Sequence, residues 1–225
     1  MSESIPKPNA EKWVSYAARA PYTTLNARGE ATRRTWVVFH GIGYLSRYFL
    51  RHFSGLDPQV HYLIAPQAPS LYYLSDTYTH VGASWLTREH TQGHMDNLME
   101  YLDSVLQEEG IQPQDDLDYF AYSQGVSVLC RWLARRPVGG GRIFLYAGKP
   151  PAELRPEAFS HLPETMPVVV VFGNQDPFLK PEDRPGLLAR YRELFGDRLQ
   201  VVAFDGGHEL RNDLIVQLAA EYGNT

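Results

Sequence analysis

The chain passes from an apolar strand into a tight turn and a helix at Tyr119-Phe120-Ala121-Tyr122-Ser123-Gln124-Gly125-Val126. A serine at such a strand-to-helix turn is held out of the fold, with its hydroxyl beside the first turn of the helix. The two backbones come close there, so the residues two before and two after the serine must be small, as Ala121 and Gly125 are. The pattern predicts a nucleophile at Ser123. The alternative is an ordinary strand followed by a serine N-cap.

Strand-like and helix-like segments alternate along the rest of the chain, which is typical of an α/β fold with a mostly parallel sheet. An antiparallel opening is expected from residues 13–18 and 22–26. Near-continuous apolar runs predict strands buried on both faces at residues 35–39, 60–65, 117–122, 142–147, 168–172 and 199–204. Apolar stripes with helical spacing predict helices within residues 95–106, 126–133, 187–195 and 214–222.

Length and composition limit the classes of protein to consider. The 225 residues fit a single domain spanning 1–225, and the apolar fraction of 44% is ordinary for a globular protein. The formal net charge of −5 argues against nucleic acid as a partner. The longest apolar run, residues 168–172, is too short to span a bilayer, so no integral membrane association is expected.

The cysteine content and the N-terminal residues predict a location. Cys130 is the single cysteine, so no disulfide forms within the chain, and we expect it to be a buried apolar residue instead of a reactive thiol. Residues 1–12 are polar and lack the apolar core of a signal peptide. We therefore expect a cytoplasmic enzyme or binding protein.

A serine hydroxyl is a poor nucleophile at neutral pH and needs a base and an acid beside it. His208 follows the last predicted strand, and Asp176 follows the strand at residues 168–172. Loops at the carboxyl ends of parallel strands share one edge of the sheet, so both side chains are expected near Ser123. Asp205 is an alternative acid, but it lies in the same turn as His208 and is poorly placed to reach the far ring nitrogen.

The third requirement is a pair of backbone donors for the developing oxyanion. One N–H is expected from Gln124, directly after the nucleophile, and the second from Ile42, in the glycine-containing loop after the strand at 35–39. His40 in that loop is expected to be structural. The order Ser123, Asp176, His208 is that of the α/β-hydrolase fold, and the loop at 148–166 is too short for a cap domain.

Six motifs carry a resemblance to a known family. They are Phe39-His40-Gly41-Ile42-Gly43, Ala65-Pro66-Gln67-Ala68-Pro69, Ser84-Trp85, Tyr122-Ser123-Gln124-Gly125, Gly173-Asn174-Gln175-Asp176-Pro177 and Gly207-His208. From about residue 35 onward the chain resembles the phospholipase/carboxylesterase family, which includes acyl-protein thioesterases. The resemblance implies a Ser123, Asp176 and His208 triad and an oxyanion hole formed by the amides of Ile42 and Gln124.

Two departures from the family pattern stand out. Ala121 replaces the usual glycine before the nucleophile, and Tyr44-Leu45-Ser46-Arg47 replaces the usual aspartate and glycine beside the acyl site. Aromatic and aliphatic residues in the flanking loops are candidate walls of an acyl pocket, although packing is an equal alternative. These substrate-binding candidates are Tyr44, Leu45, Tyr48, Tyr72, Tyr73, Trp85, Phe178 and Leu179.

The resulting hypothesis is a serine hydrolase, a monomer or homodimer, that cleaves a small-molecule carboxylic ester or thioester without a cofactor or metal. The alternative from another class is a non-catalytic protein of the same fold that binds a small apolar ligand. A metal site at His90, His94 and Asp96 is a weaker alternative, because residues 91–93 make a poor helix start and no metalloprotease glutamate is present.

Overall fold

The structure, a computed structural model, describes residues 11–222 of the chain. Most of the N-terminal stretch 1–12, for which no signal peptide is expected, lies outside the described residues. Within the described range, seven strands form one sheet and two form a separate hairpin. The strands are β1 (Tyr22–Leu25), β2 (Arg34–Phe39), β3 (His61–Pro66), β4 (Ser70–Tyr73), β5 (Val81–Ser84), β6 (Asp116–Tyr122), β7 (Gly140–Tyr146), β8 (Val168–Gly173) and β9 (Leu199–Phe204).

The large sheet has the strand order β1-β3-β2-β6-β7-β8-β9. Only β1 runs antiparallel to its neighbour, and every other pair is parallel. The α-helices are α1 (Ser46–Phe49), α2 (Thr91–Glu108), α3 (Gln124–Leu133), α4 (Arg184–Phe195) and α5 (Asn212–Glu221), with short 3-10 turns at Leu50–Phe53, Pro156–Phe159 and Gly196–Arg198. The predicted α/β architecture is therefore confirmed. None of the helices within residues 11–222 combines the length and the apolar character that crossing a membrane requires.

Each face of the large sheet is covered by its own hydrophobic core. Val37 and Phe39 of β2 point into the core that α2, α3 and α4 cover, whereas Trp36 and Val38 point into the core that α5 covers. Successive strand residues face opposite sides of a sheet, so a strand covered on both sides must be apolar at every position. This explains why the central strands read as continuous apolar runs.

The structure differs from the sequence analysis in two segments. The expectation for residues 13–18 is wrong: they form no strand, Trp13, Val14 and Tyr16 are largely exposed, and of the expected antiparallel opening only β1 forms, paired with β3. The segment between the predicted strand at 60–65 and the predicted helix at 95–106 contains the antiparallel hairpin β4–β5, which the apolar patterns do not predict. All four residues of β4 are exposed, so this strand lacks the buried, alternating face by which a strand is recognised in a sequence.

Helix α3 approaches β2 so closely that only a glycine fits between them. A Cβ atom on Gly125 would lie 2.6 Å from the carbonyl oxygen of Phe39 and 2.8 Å from that of His40. Both distances are shorter than van der Waals contact, and both neighbours are backbone atoms that cannot swing aside. The small residue expected at this position is therefore required by the packing of the helix on the sheet.

Gly125→Ala should destabilise the protein by about 1–3 kcal/mol, because the added methyl group forces α3 away from β2. The free energy of unfolding from urea titration measures this change. The matched control is Gly186→Ala in α4, where a Cβ would meet no atom within 4 Å, so that the variant should be as stable as the parent or slightly more so. Equal stability of the two variants would contradict the close approach.

The Cys130 thiol should be unreactive in the folded protein. Burial raises its pKa to about 12, so the reactive thiolate is scarce at pH 8 as well as inaccessible. A thiol titration with a chromogenic disulfide should give no reaction in native buffer and one equivalent in guanidinium chloride, since the chain has one cysteine. Rapid reaction of the native protein would show that α3 is not packed as described.

Candidate active site

Ser123 occupies the turn between β6 and α3 in a backbone conformation that residues other than glycine rarely adopt. Its φ is 53° and its ψ is −116°, in the positive-φ region that disfavours residues with a Cβ. The strained turn is held on both sides: the Ser123 N–H donates to the carbonyl of Tyr146 at 2.9 Å, and its carbonyl accepts from Val126 at 3.1 Å. Backbone strain of this kind turns the hydroxyl outward at the carboxyl edge of the sheet.

The structure brings the three predicted triad residues together. His208 Nε2 lies 3.0 Å from Ser123 Oγ, and His208 Nδ1 lies 2.7 Å from Asp176 Oδ2. Asp176 is 3% exposed, and its other oxygen accepts the N–H of Phe178 at 2.8 Å. The carboxylate of the alternative acid, Asp205, accepts a hydrogen bond from the side-chain amide of Gln175. The imidazole thus bridges the serine hydroxyl and the carboxylate, which is the arrangement that a nucleophile, a base and an orienting carboxylate require.

His208 is held by contacts that the sequence does not reveal. The hydroxyl of Tyr122 donates to the carbonyl of His208 at 2.9 Å, and burial raises the pKa of this phenol, so that it stays a donor. The ring of Phe178 packs edge-on against the imidazole, with ring centroids 4.8 Å apart. The sequence signal for this role is a tyrosine directly before Ser123, and a tyrosine at that position does not by itself predict the contact.

The two expected oxyanion donors lie on different elements next to Ser123. Gln124 is the first residue of α3, so its N–H has no acceptor within the helix. Ile42 belongs to the loop 40–43 after β2, which passes directly beside Ser123: a Cβ on Gly41 would lie 3.2 Å from the Cβ of Ser123. Gly43 ends this loop with a φ of 85°. Both assignments stay predictions that this arrangement permits.

His40 is buried and acts as a structural link, as expected. Its Nε2 accepts the N–H of Ala68 at 3.1 Å, which leaves Nδ1 as the donor to the carbonyl of Gly41 at 2.8 Å. Burial lowers the pKa of the imidazole to about 4, although the hydrogen bond to Gly41 acts in the opposite direction. A histidine that is neutral and has both ring nitrogens occupied is unavailable as the base.

The side chain of Gln124 makes contacts that sequence reasoning missed. Its Oε1 accepts the N–H of Trp85 at 2.9 Å, and its Nε2 donates to the carbonyl of Leu86 at 2.9 Å and to Ser84 Oγ at 3.0 Å. The sequence predicts only a backbone role for Gln124, as an N–H donor to the oxyanion. Its long amide side chain was the available hint, because a partly buried amide needs partners for its donors and its acceptor.

The eight candidate pocket residues divide into two groups. Leu45, Trp85 and Leu179 are buried in the core on the α2 side of the sheet, where they fill packing positions instead of an open cleft. The other five are partly or largely exposed, and for them the role in the acyl pocket stays a prediction: Tyr44, Tyr48, Tyr72, Tyr73 and Phe178. Of these, Tyr44 packs against Tyr122 and Phe178 packs against His208, which places both beside the triad.

The residues of the alternative metal site have other partners. His90 forms an ion-pair contact with Glu11 at 2.8 Å, and Asp96 binds Arg135 at 3.0 Å. Across residues 11–222, no three histidine, cysteine, aspartate or glutamate side chains are grouped so that they could hold a metal ion.

No protein-family model matches the sequence, and a search of curated proteins by sequence finds no match either. Solved structures, in contrast, match over almost the whole chain. Esterase PE8 superposes with a TM-score of 0.67 at 20% identity, covering 91% of this chain and 100% of its own. Acyl-protein thioesterase 2 of Zea mays gives 0.61 at 15% identity, covering 91% and 99%. The Bacillus cereus carboxylesterase gives 0.65 at 13% identity, covering 92% and 94%.

All three matches lie at or below 20% sequence identity. At such identities a structural likeness establishes the fold and leaves the chemistry to be argued from the site itself. The chain has the α/β-hydrolase fold.

Proposed function

We propose that the protein is a single-domain serine hydrolase that cleaves carboxylic esters or thioesters through an acyl-enzyme on Ser123. The observation that carries the proposal is the continuous line of hydrogen bonds from Ser123 Oγ through His208 to the buried Asp176, at 3.0 and 2.7 Å. The names of the structural neighbours, which include an esterase and a thioesterase, support the same reaction class.

In the first half of the reaction, His208 Nε2 takes the proton of Ser123 as its oxygen attacks the acyl carbonyl. Asp176 stabilises the imidazolium that forms and holds the ring in the tautomer whose Nε2 faces the serine. The carbonyl oxygen becomes an oxyanion that the N–H groups of Ile42 and Gln124 stabilise. Collapse of the tetrahedral intermediate expels the alcohol or thiol, which receives the proton from His208.

In the second half of the reaction, a water molecule takes the place of the leaving group. His208 Nε2 removes a proton from this water. The resulting hydroxide equivalent attacks the acyl-enzyme and a second oxyanion forms at the same place. Its collapse releases the carboxylic acid, and His208 returns the proton to Ser123 Oγ, which restores the enzyme. Every proton and electron pair in this cycle is accounted for by the protein, the substrate and water. The proposed reaction therefore calls for no cofactor.

Exposed apolar side chains around the triad suit a small substrate with an apolar acyl or aryl group. Ile42 and Phe178 are 54% and 68% exposed, and Tyr72 and Tyr73 stand on the neighbouring hairpin. Phe178 contacts His208 directly, so an acyl group at Ser123 would pass close to its ring. Location in the cytoplasm and a monomeric or homodimeric state stay predictions from composition.

Ser123→Ala should lower the turnover of a short-chain aryl ester by a large factor, on the order of a millionfold if the triad acts as a unit. The loss follows because the substitution removes the hydroxyl that attacks the carbonyl. Steady-state kinetics on aryl esters and thioesters of increasing chain length measure it and define the acyl preference. Ser160→Ala is the control, since this exposed serine bonds only the carbonyl of Glu157, and retained turnover in Ser123→Ala would refute the nucleophile.

A fluorophosphonate probe separates the hydrolase from the non-catalytic alternative. The probe reacts only with a serine that a base activates, so we expect labelling of the parent protein at Ser123 and none of Ser123→Ala. Peptide mapping by mass spectrometry identifies the labelled residue. A folded parent protein that resists the probe would favour the ligand-binding protein.

A further inference from the structure

Residues 83–86, the end of β5 and the turn that follows it, contact both ends of the loop 40–43. The carbonyl of Ala83 accepts the N–H of Gly43 at 2.8 Å. The indole N–H of Trp85 donates to the carbonyl of His40 at 2.7 Å. Ile42, the expected donor on this loop, thus lies between the His40 carbonyl and the Gly43 N–H. Residues 83–86 form hydrogen bonds with both of these groups.

The same segment also holds the residue that carries the second expected donor. The side-chain amide of Gln124 bonds the backbone N–H of Trp85 and the carbonyl of Leu86, both at 2.9 Å. The amide oxygen accepts the bond from Trp85, and the amide nitrogen donates the bond to Leu86. Gln124 cannot shift along or away from residues 83–86 without breaking at least one of them.

The contact made by the Trp85 indole is buried. Trp85 is 1% exposed, and its ring packs against those of Phe39 and His40 at centroid distances of 5.7 and 4.8 Å. Water cannot replace the indole donor at such a site, and a hydrogen bond in surroundings of low dielectric is stronger than one at the surface. The segment is therefore a stiff connection between the loop 40–43 and the start of α3.

We propose that residues 83–86 set the separation of the Ile42 and Gln124 amides, with Trp85 as the positioning residue. The inference rests on the proposed hydrolase function and deepens it. Donors stabilise an oxyanion only when they lie about 2.7–3.1 Å from the place where it forms, so two donors on different elements need a common reference. The sequence predicts Trp85 as a wall of the acyl pocket. In the structure its ring is buried in the core, and from there its indole N–H fixes the start of the loop 40–43 through the carbonyl of His40.

Trp85→Phe removes the indole N–H and keeps an aromatic ring in the core. We expect kcat to fall by about tenfold or more, approaching at most the 10²–10³-fold loss known for removing a whole oxyanion donor. KM should change little, because the affected interaction forms only in the transition state. Steady-state kinetics on an aryl ester and the rate of fluorophosphonate inactivation, which also builds a tetrahedral centre, should fall together.

Trp132→Phe is the matched control. Trp132 is also buried, also packs against Phe39, and also donates its indole N–H, but to Asp103 Oδ1 at 2.8 Å on α2. The two variants remove the same group from the same core, so they should lose similar stability in urea. Only Trp85→Phe should lose kcat.

Gln124→Met tests the other half of the connection. It keeps the backbone N–H and a side chain of similar length, and it removes the bonds to residues 84–86. Its kcat should fall as well, and the double variant with Trp85→Phe should lose less than the product of the two single losses, because both changes release the same segment. This variant also carries the test if Trp85→Phe does not fold.

The outcomes separate the inference from the function on which it rests. Normal kcat in Trp85→Phe and in Gln124→Met, with turnover still dependent on Ser123, would overturn the positioning role and leave the hydrolase intact. A fall in kcat matched by Trp132→Phe would overturn it too, since loss of packing alone would then suffice. A parent protein without Ser123-dependent turnover would overturn both.

Discussion

The close approach of helix α3 to strand β2 at Gly125 is the constraint on which the rest of the site depends. With no side chain between them, the helix starts within contact distance of the carbonyl oxygens of Phe39 and His40. The chain turns from β6 into α3 through the strained conformation of Ser123. The same close approach brings the loop after β2 alongside this serine, so that the proposed nucleophile and the proposed oxyanion loop are positioned by one contact.

The parallel sheet brings the remaining groups to the same edge. Ser123 follows β6, Asp176 follows β8 and His208 follows β9, and in each case the residue lies beyond the carboxyl end of its strand. β9 is the outermost strand on that side, so its loop must reach back across two neighbours. The hydrogen bond from the Tyr122 hydroxyl to the carbonyl of His208 and the buried Asp176 hold it there. The chemistry depends on this framework as much as on the three side chains.

Local patterns in the sequence predict much of the fold, and they also predict the serine, histidine and aspartate of the candidate site. Continuous apolar runs identify the strands buried on both faces, and residues 199–204 are predicted with the bounds that the structure has. The three candidate triad residues can be identified because each lies in a turn that follows a strand. The prediction fails where a segment has no buried face to reveal it, as for the exposed strand β4, or where apolar residues mark no strand, as at residues 13–18. It also fails for Trp85, whose ring lies in the core.

The amino-acid sequence by itself determined the alternation of strands and helices, the small residues of the turn and the order of serine, aspartate and histidine, since each is a matter of spacing along the chain. Tertiary structure alone decided which groups hold these residues in place. Gln124 meets the N–H of Trp85 from 39 positions away, and Trp85 meets the carbonyl of His40 from 45 positions away. Hydrogen bonds between such distant residues leave no periodic trace, because they depend on how the elements pack and not on the pattern within any one of them.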